Sequence, residues 1–533
     1  MATGNRVLII GLDGMGPEAL AALTARGAMP TLAAMARRGA SGVLASTVPP
    51  VTCPAWPTMC TGVGPGRHGL FSFVHRTADG RARVASASDL TAPRFWQLAA
   101  AAGRRTAVLY VPAMFPADAV EPLAVSGYPA PEREGAGAVY PPEAEGPLRR
   151  AIPRFQPTPF LAADPRGDES PTDAARRAIR EAAEADAHRI TTAFDFAAAR
   201  APLDLAMAVF SFPDHLFHAY YNAVVAPDDA PDETLAIRSA VDEAFARLDA
   251  AIERLIEHFG QPATVLVVSD HGFAAKRGSV HVAECLRQAG LLKPAGLAYL
   301  MKRLVRRRRT RDVQQSLLAD DPWIDPSINW SRTQAFAGYD HEQAVFVNLE
   351  GRCPRGTVPA AEYDAVIERA VAALLEVRDP ETGDRPVRAV RRRNELYTGP
   401  HVDRAPDLLV ELADGWQVRR KLAWRMRGQP PVSTHEGPGG VHHPDGILLA
   451  DGHGVRPDAQ PHDAQLADIA ATVLALAGLA SADPLDGRTL DEVFALPEER
   501  QTIGAEGAAA EVTGYTAADE DEVARRLEDL GYL

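Results

Sequence analysis

Short runs of continuous apolar residues alternate along this chain with Ala-rich segments whose apolar positions recur at helical spacing. Val7–Leu12, Thr106–Val111, Leu205–Phe210 and Thr264–Ser269 are continuous, mainly apolar runs bounded by polar or turn residues. Strands of this kind are buried on both faces of a largely parallel sheet. Between them the helical period predicts Pro17–Arg26, Met29–Arg38, Pro171–Arg200 and Thr234–Phe259. The alternation predicts an α/β fold. Two regions break it. Residues 128–170 are rich in Pro and Gly and read as a long surface excursion. From about Leu291 a basic run, Lys302–Arg311, precedes a new block with a strand at Gln343–Leu349, a helix at Tyr363–Val377 and strands at Arg385–Val390 and Asp407–Glu411. That block predicts a smaller α/β insertion, a cap. The pattern returns to the core with Ile447–Ala450 and Asp468–Leu476, and the chain closes on an acidic helical segment from Thr516.

The expected organisation is a discontinuous core of residues 1–290 and 400–500, which includes the Pro-rich and helical excursion at 126–200. A cap at 291–399 and a helical tail at 501–533 complete it. Of the 533 residues, 46% are hydrophobic and 24% charged, so wholesale disorder is excluded. The formal charge of −14 disfavours a nucleic-acid polymer as partner. Four scattered cysteines form no CxxC pair, which removes thiolate zinc knuckles and thioredoxin-like chemistry. The apolar run at Arg6–Ile10 reads as a first strand rather than a leader, and Ile469–Ala480 is too short to span a bilayer. A soluble, cytoplasmic protein with no membrane partner is the expectation.

The chemistry lies where three strands end. Val7–Leu12 runs into Asp13, Leu205–Phe210 leads to Asp214, and Thr264–Ser269 runs into Asp270-His271. In open α/β sheets ligands bind beyond the carboxyl ends of strands, so these side chains should converge on one crevice. A single strand-end Asp is more often a helix N-cap. Three of them, two with a histidine close by, read as metal ligands. If Pro213 opens a helix, Asp214 and His218 share one face, with His215 pointing elsewhere. Asp270 and His271 need an irregular turn, which Gly272 permits. A third histidine group, His442-His443, precedes the strand Ile447–Ala450. Thr52 lies two residues before Pro54, at or near a helix N-terminus, where N–H groups and the helix dipole favour an alkoxide or a phosphate. Without metal ligands it would be a plain N-cap. Cys53 reads as a small buried residue.

Taken together, Ile10-Gly11-Leu12-Asp13-Gly14, Thr52-Cys53-Pro54-Ala55-Trp56, Thr61-Gly62, His68-Gly69, Asp214-x-x-x-His218, Ser269-Asp270-His271-Gly272 and Gly440-x-His442 resemble, in order, the type I phosphodiesterase/nucleotide pyrophosphatase branch of the alkaline phosphatase superfamily. The resemblance covers residues 10 to about 490. It implies an alkaline phosphatase-like three-layer fold with a mostly parallel central sheet, carrying the smaller cap as an insertion. It also implies two divalent cations, one on Asp214, His218 and His442, the other on Asp13, Asp270 and His271 with Thr52. His435 and His443 stand as alternatives to His442. Three carboxylates and one alkoxide would balance two divalent charges, and the mixed N/O donors suit Zn²⁺, or Mn²⁺. The implied reaction is hydrolysis of a small phosphoester. Thr52 attacks phosphorus, and a water activated at the Asp214 metal then cleaves the phosphothreonine.

A phosphodiester or nucleotide pyrophosphate is the first expectation, a phosphomonoester or phosphonate the second. Sulfatases resemble Cys-x-Pro-x-Arg, whereas Thr52, Pro54 and Trp56 fill those slots here. Two readings of another class remain: a dinucleotide-binding oxidoreductase, from Gly14-Met15-Gly16-Pro17-Glu18-Ala19, and a catalytically inactive binding protein. Asp13 and the lack of any acidic residue from 19 to 78 oppose the former; seven competent ligand positions oppose the latter. The basic run and Arg391-Arg392-Arg393 read as solvated surface, and Phe210, Phe212, Phe217, Tyr220 and Tyr221 as core rather than a base-stacking platform.

Overall fold

The computed structural model describes residues 5–76, 82–152, 155, 161, 163–296, 323, 325–420, 430–434, 437–504 and 514–529. The chain divides into two compact units. One comprises residues 1–70, 86–275 and 438–515, the other 71–85, 276–437 and 516–533.

Among the described residues the strands of the first unit include β1 (Val7–Leu12), β2 (Ala40–Ala45), β3 (Thr106–Val111), β4 (Pro122–Ser126), β5 (Val139–Tyr140), β6 (Leu205–Phe210), β7 (Thr264–Val268), β8 (Gly272–Ala275), β9 (Gly440–His443) and β10 (Asp445–Gly452). Eight of them form one sheet in the order β2-β10-β7-β1-β6-β3-β4-β5. The central strands β7, β1, β6, β3 and β4 are mutually parallel. β10 runs antiparallel to β7 and β2, and β5 antiparallel to β4.

The continuous apolar runs have a simple cause: successive residues enter two different cores. Leu8, Ile10 and Leu12 of β1 join Ala206, Ala208 and Phe210 of β6 and Val265 and Val267 of β7 on one face. There the helices Pro171–Arg200 and Asp232–Phe259 supply Ile179, Phe194, Leu248 and Ile252. Val7, Ile9, Met207, Val209, Leu266 and Val268 face the other way, against Trp56 and Met59 of helix α1 (Thr52–Thr61) and Ile469 and Val473 of the helix Leu466–Leu476. A sheet covered on both faces needs no polar alternation. The predicted strands and helices of this unit lie where the pattern put them, to within two residues at each end.

The Pro-rich excursion is a correction. It contributes β5 to the sheet edge, and the helix Pro142–Ala151 buries Ala144 and Leu148 in the first core. β5 itself has no proline; Pro142 opens the helix, where the first turn has no partner for an N–H, and Pro147 is carried inside it. β2 and β4 carried no clear apolar run and were not anticipated.

The second unit holds a four-stranded sheet, ordered 335–337, 344–347, 408–412, 387–392, and a three-stranded one, ordered 416–419, 278–281, 432–434, around its own core of Val280, Phe336, Val345, Ile367 and Leu408. The segment Ala517–Asp529 is helical and buries Val523, Ala524 and Leu527. Arg391, Arg392 and Arg393 pair with Glu411, Asp364 and Asp403, so the surface reading of that triplet fits. The basic run Lys302–Arg311 and His435 lie outside the described residues. Among the described residues no single helix is long and apolar enough to cross a membrane.

Candidate metal centre

The register of the central strands brings the three aspartates together. Leu12 of β1 lies opposite Phe210 of β6, and Gly11 opposite Val268 of β7, so Asp13, the start of helix α2 (Phe212–Val224) and Asp270 all follow from one edge of the sheet. β10 is antiparallel to β7, so the chain enters it from that same edge, and β9 just before it delivers His442 there. β2 runs parallel to the central strands by pairing with β10, and the chain leaving it leads to Thr52. One edge thus receives residues separated by more than four hundred positions.

Asp214 and His218 share one face of α2, with Nε2 of His218 3.5 Å from Oδ1 of Asp214. His442 Nε2 closes the triangle, 3.4 Å from Asp214 Oδ1 and 3.0 Å from His218 Nε2. The second group is Asp13, Asp270 and His271, whose ligand atoms lie within 4.8 Å of one another. His271 Nε2 is 3.4 Å from Asp270 Oδ2, 3.8 Å from Asp13 Oδ1 and 4.0 Å from Asp214 Oδ1, so it stands between the groups. Its ring stacks on that of His442 at 3.9 Å. Thr52 is the first residue of α1, is buried, and holds Oγ1 3.4 Å from His271 Nε2. All seven residues singled out in the sequence are gathered here. His215 turns away toward the Tyr128 ring. His443 faces opposite to His442 by strand alternation, and its Nδ1 accepts from the Asp445 N–H at 3.1 Å. Cys53 is buried, which pushes its thiol upward and away from a reactive thiolate.

The donor set fits divalent cations. His271 Nδ1 donates to the Gly272 carbonyl at 3.2 Å and His442 Nδ1 to the Pro50 carbonyl at 2.9 Å. These bonds fix the tautomers that leave both Nε2 lone pairs facing the carboxylates, as metal-ligating histidines require. Asp13 Oδ1 and Asp270 Oδ2 are buried and accept no hydrogen bond. Two bare buried carboxylate oxygens without a counter-charge would be costly. Burial, then Asp270 and Asp214, raise the Asp13 carboxyl well above its usual range, and burial with Asp214 raises Asp270 to about 7. Burial alone would raise Asp214 too, but His218 and His442 outweigh it and hold that carboxyl low. Burial, then His442, push His271 down, toward the neutral form that binds metal. Anions crowded against neutral imidazoles are what a pair of cations would resolve.

Several residues of the same motifs take supporting roles that the sequence does not specify. Trp56, in the slot where sulfatases resemble Arg, donates Nε1–H to Asp13 Oδ2 at 3.3 Å. Ser269 Oγ donates to the Met15 carbonyl and accepts from the Ile447 N–H, tying the ends of β7, β1 and β10 together. Gly14 donates its N–H to Asp270 Oδ1 at 3.2 Å and has φ +76°. A Cβ there would lie 2.7 Å from the Phe273 ring and 3.2 Å from the Asp214 Cα. Gly14→Ala is therefore expected to cost about 2–4 kcal/mol and lower metal content; thermal unfolding with metal analysis reads both. Gly272 is needed for space rather than for a turn: a Cβ would meet the Asp445 carbonyl oxygen at 2.2 Å. Lone turn or aromatic residues carry no sequence signal of such roles.

The arrangement places two groups of residues that could hold metal ions beside a buried threonine hydroxyl, the equipment of a phosphoester hydrolase. The chain belongs to the type I phosphodiesterase / nucleotide pyrophosphatase family, whose model matches residues 7–445. No curated protein sequence matches significantly. Among solved structures, murine ectonucleotide pyrophosphatase / phosphodiesterase 5 is similar at 14% identity over 92% of this chain and 100% of that one, with a TM-score of 0.48; an inactive form of it has been solved with AMP. Phosphonoacetate hydrolase from Sinorhizobium meliloti 1021, solved with phosphonoformate, is similar at 16% identity over 87% and 94%, also with a TM-score of 0.48.

Proposed function

We propose that this protein hydrolyses a small phosphodiester or nucleotide pyrophosphate through a covalent intermediate on Thr52. The observation that carries the reading is the Thr52 hydroxyl at the N-terminus of a buried helix, 3.4 Å from His271 Nε2 and beside the ligand groups. Asp214, His218 and His442 would hold one divalent cation, and Asp13, Asp270 and His271 the other, most naturally Zn²⁺ with Mn²⁺ as the alternative. Such cations supply charge neutralisation and ease deprotonation of a hydroxyl or water.

The chain's own residues then do the following. Thr52 loses its hydroxyl proton to solvent water, Oγ1 attacks phosphorus in line, a P–Oγ1 bond forms, and the P–O bond to the leaving group breaks with the electron pair on the departing oxygen, which takes up a proton from water. In the first turn of α1 Pro54 has no N–H and the Ala55 N–H is bonded to the Val51 carbonyl, so the N–H groups of Thr52 and Cys53 are those that would meet the charge building up on the phosphoryl oxygens. Water then cleaves the P–Oγ1 bond and restores the hydroxyl. Trp56 and Gly14 keep Asp13 and Asp270 oriented throughout.

The test is a panel of one aryl phosphodiester, one dinucleotide, one phosphomonoester, one phosphonate ester and one aryl sulfate, assayed with Zn²⁺ or Mn²⁺. The diester or dinucleotide is expected to lead the monoester in kcat/KM by about tenfold or more. A leading monoester or phosphonate would move the protein to that class.

A further inference from the structure

The second unit carries cations that its own carboxylates leave incompletely neutralised. Its three-stranded sheet is two-faced: Val280, Trp416, Val418 and Val432 enter the core, so Ser279, His281, Gln417, Arg419 and Ser433 share the opposite face. Ser279 lies opposite both Gln417 and Ser433 in the ladder, and His281 opposite Arg419.

With the Gln417 amide oriented to satisfy its neighbours, its oxygen accepts from Lys276 Nζ at 3.1 Å, from Nε and Nη2 of Arg419 at 3.1 Å each, and from Ser279 Oγ at 3.0 Å. The reverse orientation would aim the NH2 group at the N–H donors of Lys276 and Arg419, leaving only the Ser279 hydroxyl, 3.0 Å away, to accept from it. An amide oxygen has two lone pairs, so four donors, three of them on cations, compete for one neutral acceptor.

The nearby carboxylates are otherwise engaged. Asp340 takes Arg419 Nη1 at 3.1 Å and the Arg420 N–H at 2.6 Å, and Glu284 takes Arg287 Nε at 2.6 Å. Among the described residues no carboxylate lies within ion-pair distance of Lys276. Burial, then Arg419, push the Lys276 ammonium and the His281 imidazole down, as expected where positive charge is crowded. The hydroxyls are in place as well: Ser279 is 5% exposed, and Ser433 Oγ lies 3.0 Å from His281 Nε2.

We propose that Lys276, Arg419, Ser279 and Ser433 form a binding site for a phosphate group, built wholly from residues of the second unit. A phosphoryl oxygen carries the charge that the Gln417 oxygen lacks. The Nε–Nη2 edge of Arg419 can grip two oxygens, while Lys276 supplies a point charge and the serines supply hydroxyls. This site does not rest on the phosphodiesterase reading.

The test is calorimetric titration of inorganic phosphate into the full-length protein, first stripped of metal by chelation and then reloaded, so that binding at the metal centre is counted separately. The stripped protein is expected to retain one phosphate site. Lys276→Ala with Arg419→Ala should weaken that site by roughly tenfold or more, and Lys276→Arg should preserve it. If circular dichroism shows the double variant unfolded, Lys276→Gln alone decides, with a roughly threefold or greater loss expected. AMP is the second ligand: tighter binding than phosphate assigns the site to the phosphoryl group of a larger ligand, and equal or weaker binding to the free ion, either of which supports it. Absence of phosphate binding to the stripped wild type, or variants that bind as wild type does, would overturn the proposal.

Discussion

Thr52→Ala is expected to reduce kcat on the best substrate by roughly 10³-fold or more while leaving the metal content unchanged. Thr52 is the one hydroxyl at the start of α1 that faces His271 Nε2, and Cys53 beside it is buried with its thiol pushed upward. Cys53 therefore cannot take over the attack. Thr52→Ser keeps the oxygen and is expected to retain turnover within about tenfold of wild type. Rapid quenching with a radiolabelled substrate should trap label on Thr52 in the wild type and none in the alanine variant. Full turnover by Thr52→Ala would mean that water attacks directly.

The second large effect concerns His442. Its Nε2 sits 3.0 Å from His218 Nε2 and 3.4 Å from Asp214 Oδ1, and its Nδ1 is held by the Pro50 carbonyl, two residues before Thr52. His442→Ala is expected to lower bound metal from about two ions per chain to about one and to weaken metal affinity by at least 100-fold. His443→Ala, on the other face of β9, should leave both ions in place. Elemental analysis after gel filtration distinguishes the two. An unchanged metal count in His442→Ala would move the ligand role to another histidine.

Much of this was legible in the primary structure because local rules govern it. A strand buried on both faces must be apolar at every position, so β1, β3, β6 and β7 could be read directly. The i, i+4 pair Asp214 and His218 followed from helical geometry once Pro213 was seen to open α2. β2 and β4 were missed because Ala40–Ala45 and Pro122–Ser126 have no distinctive period, and their pairing depends on β10 and β3. β5 and the helix after it lie in a stretch that reads as a surface excursion, because Pro141 and Pro142 at their junction mark loops and helix starts alike. Trp56 and Ser269 went unassigned because a single hydrogen bond to Asp13 or Met15 leaves no pattern along the chain.

The alternation of strands and helices, the polar residues at strand ends and the presence of Thr rather than a convertible Cys at residue 52 are all written in the linear order of residues. Those features are local, set by side-chain type and spacing. That His442 rather than His443 faces Asp214, that His271 stands between the two ligand groups, and that Gly272 is required for the approach of Asp445 emerge from the packed fold. Each depends on which strands are neighbours and in what register, and a pairing between residues hundreds of positions apart is settled by the packing of the whole sheet.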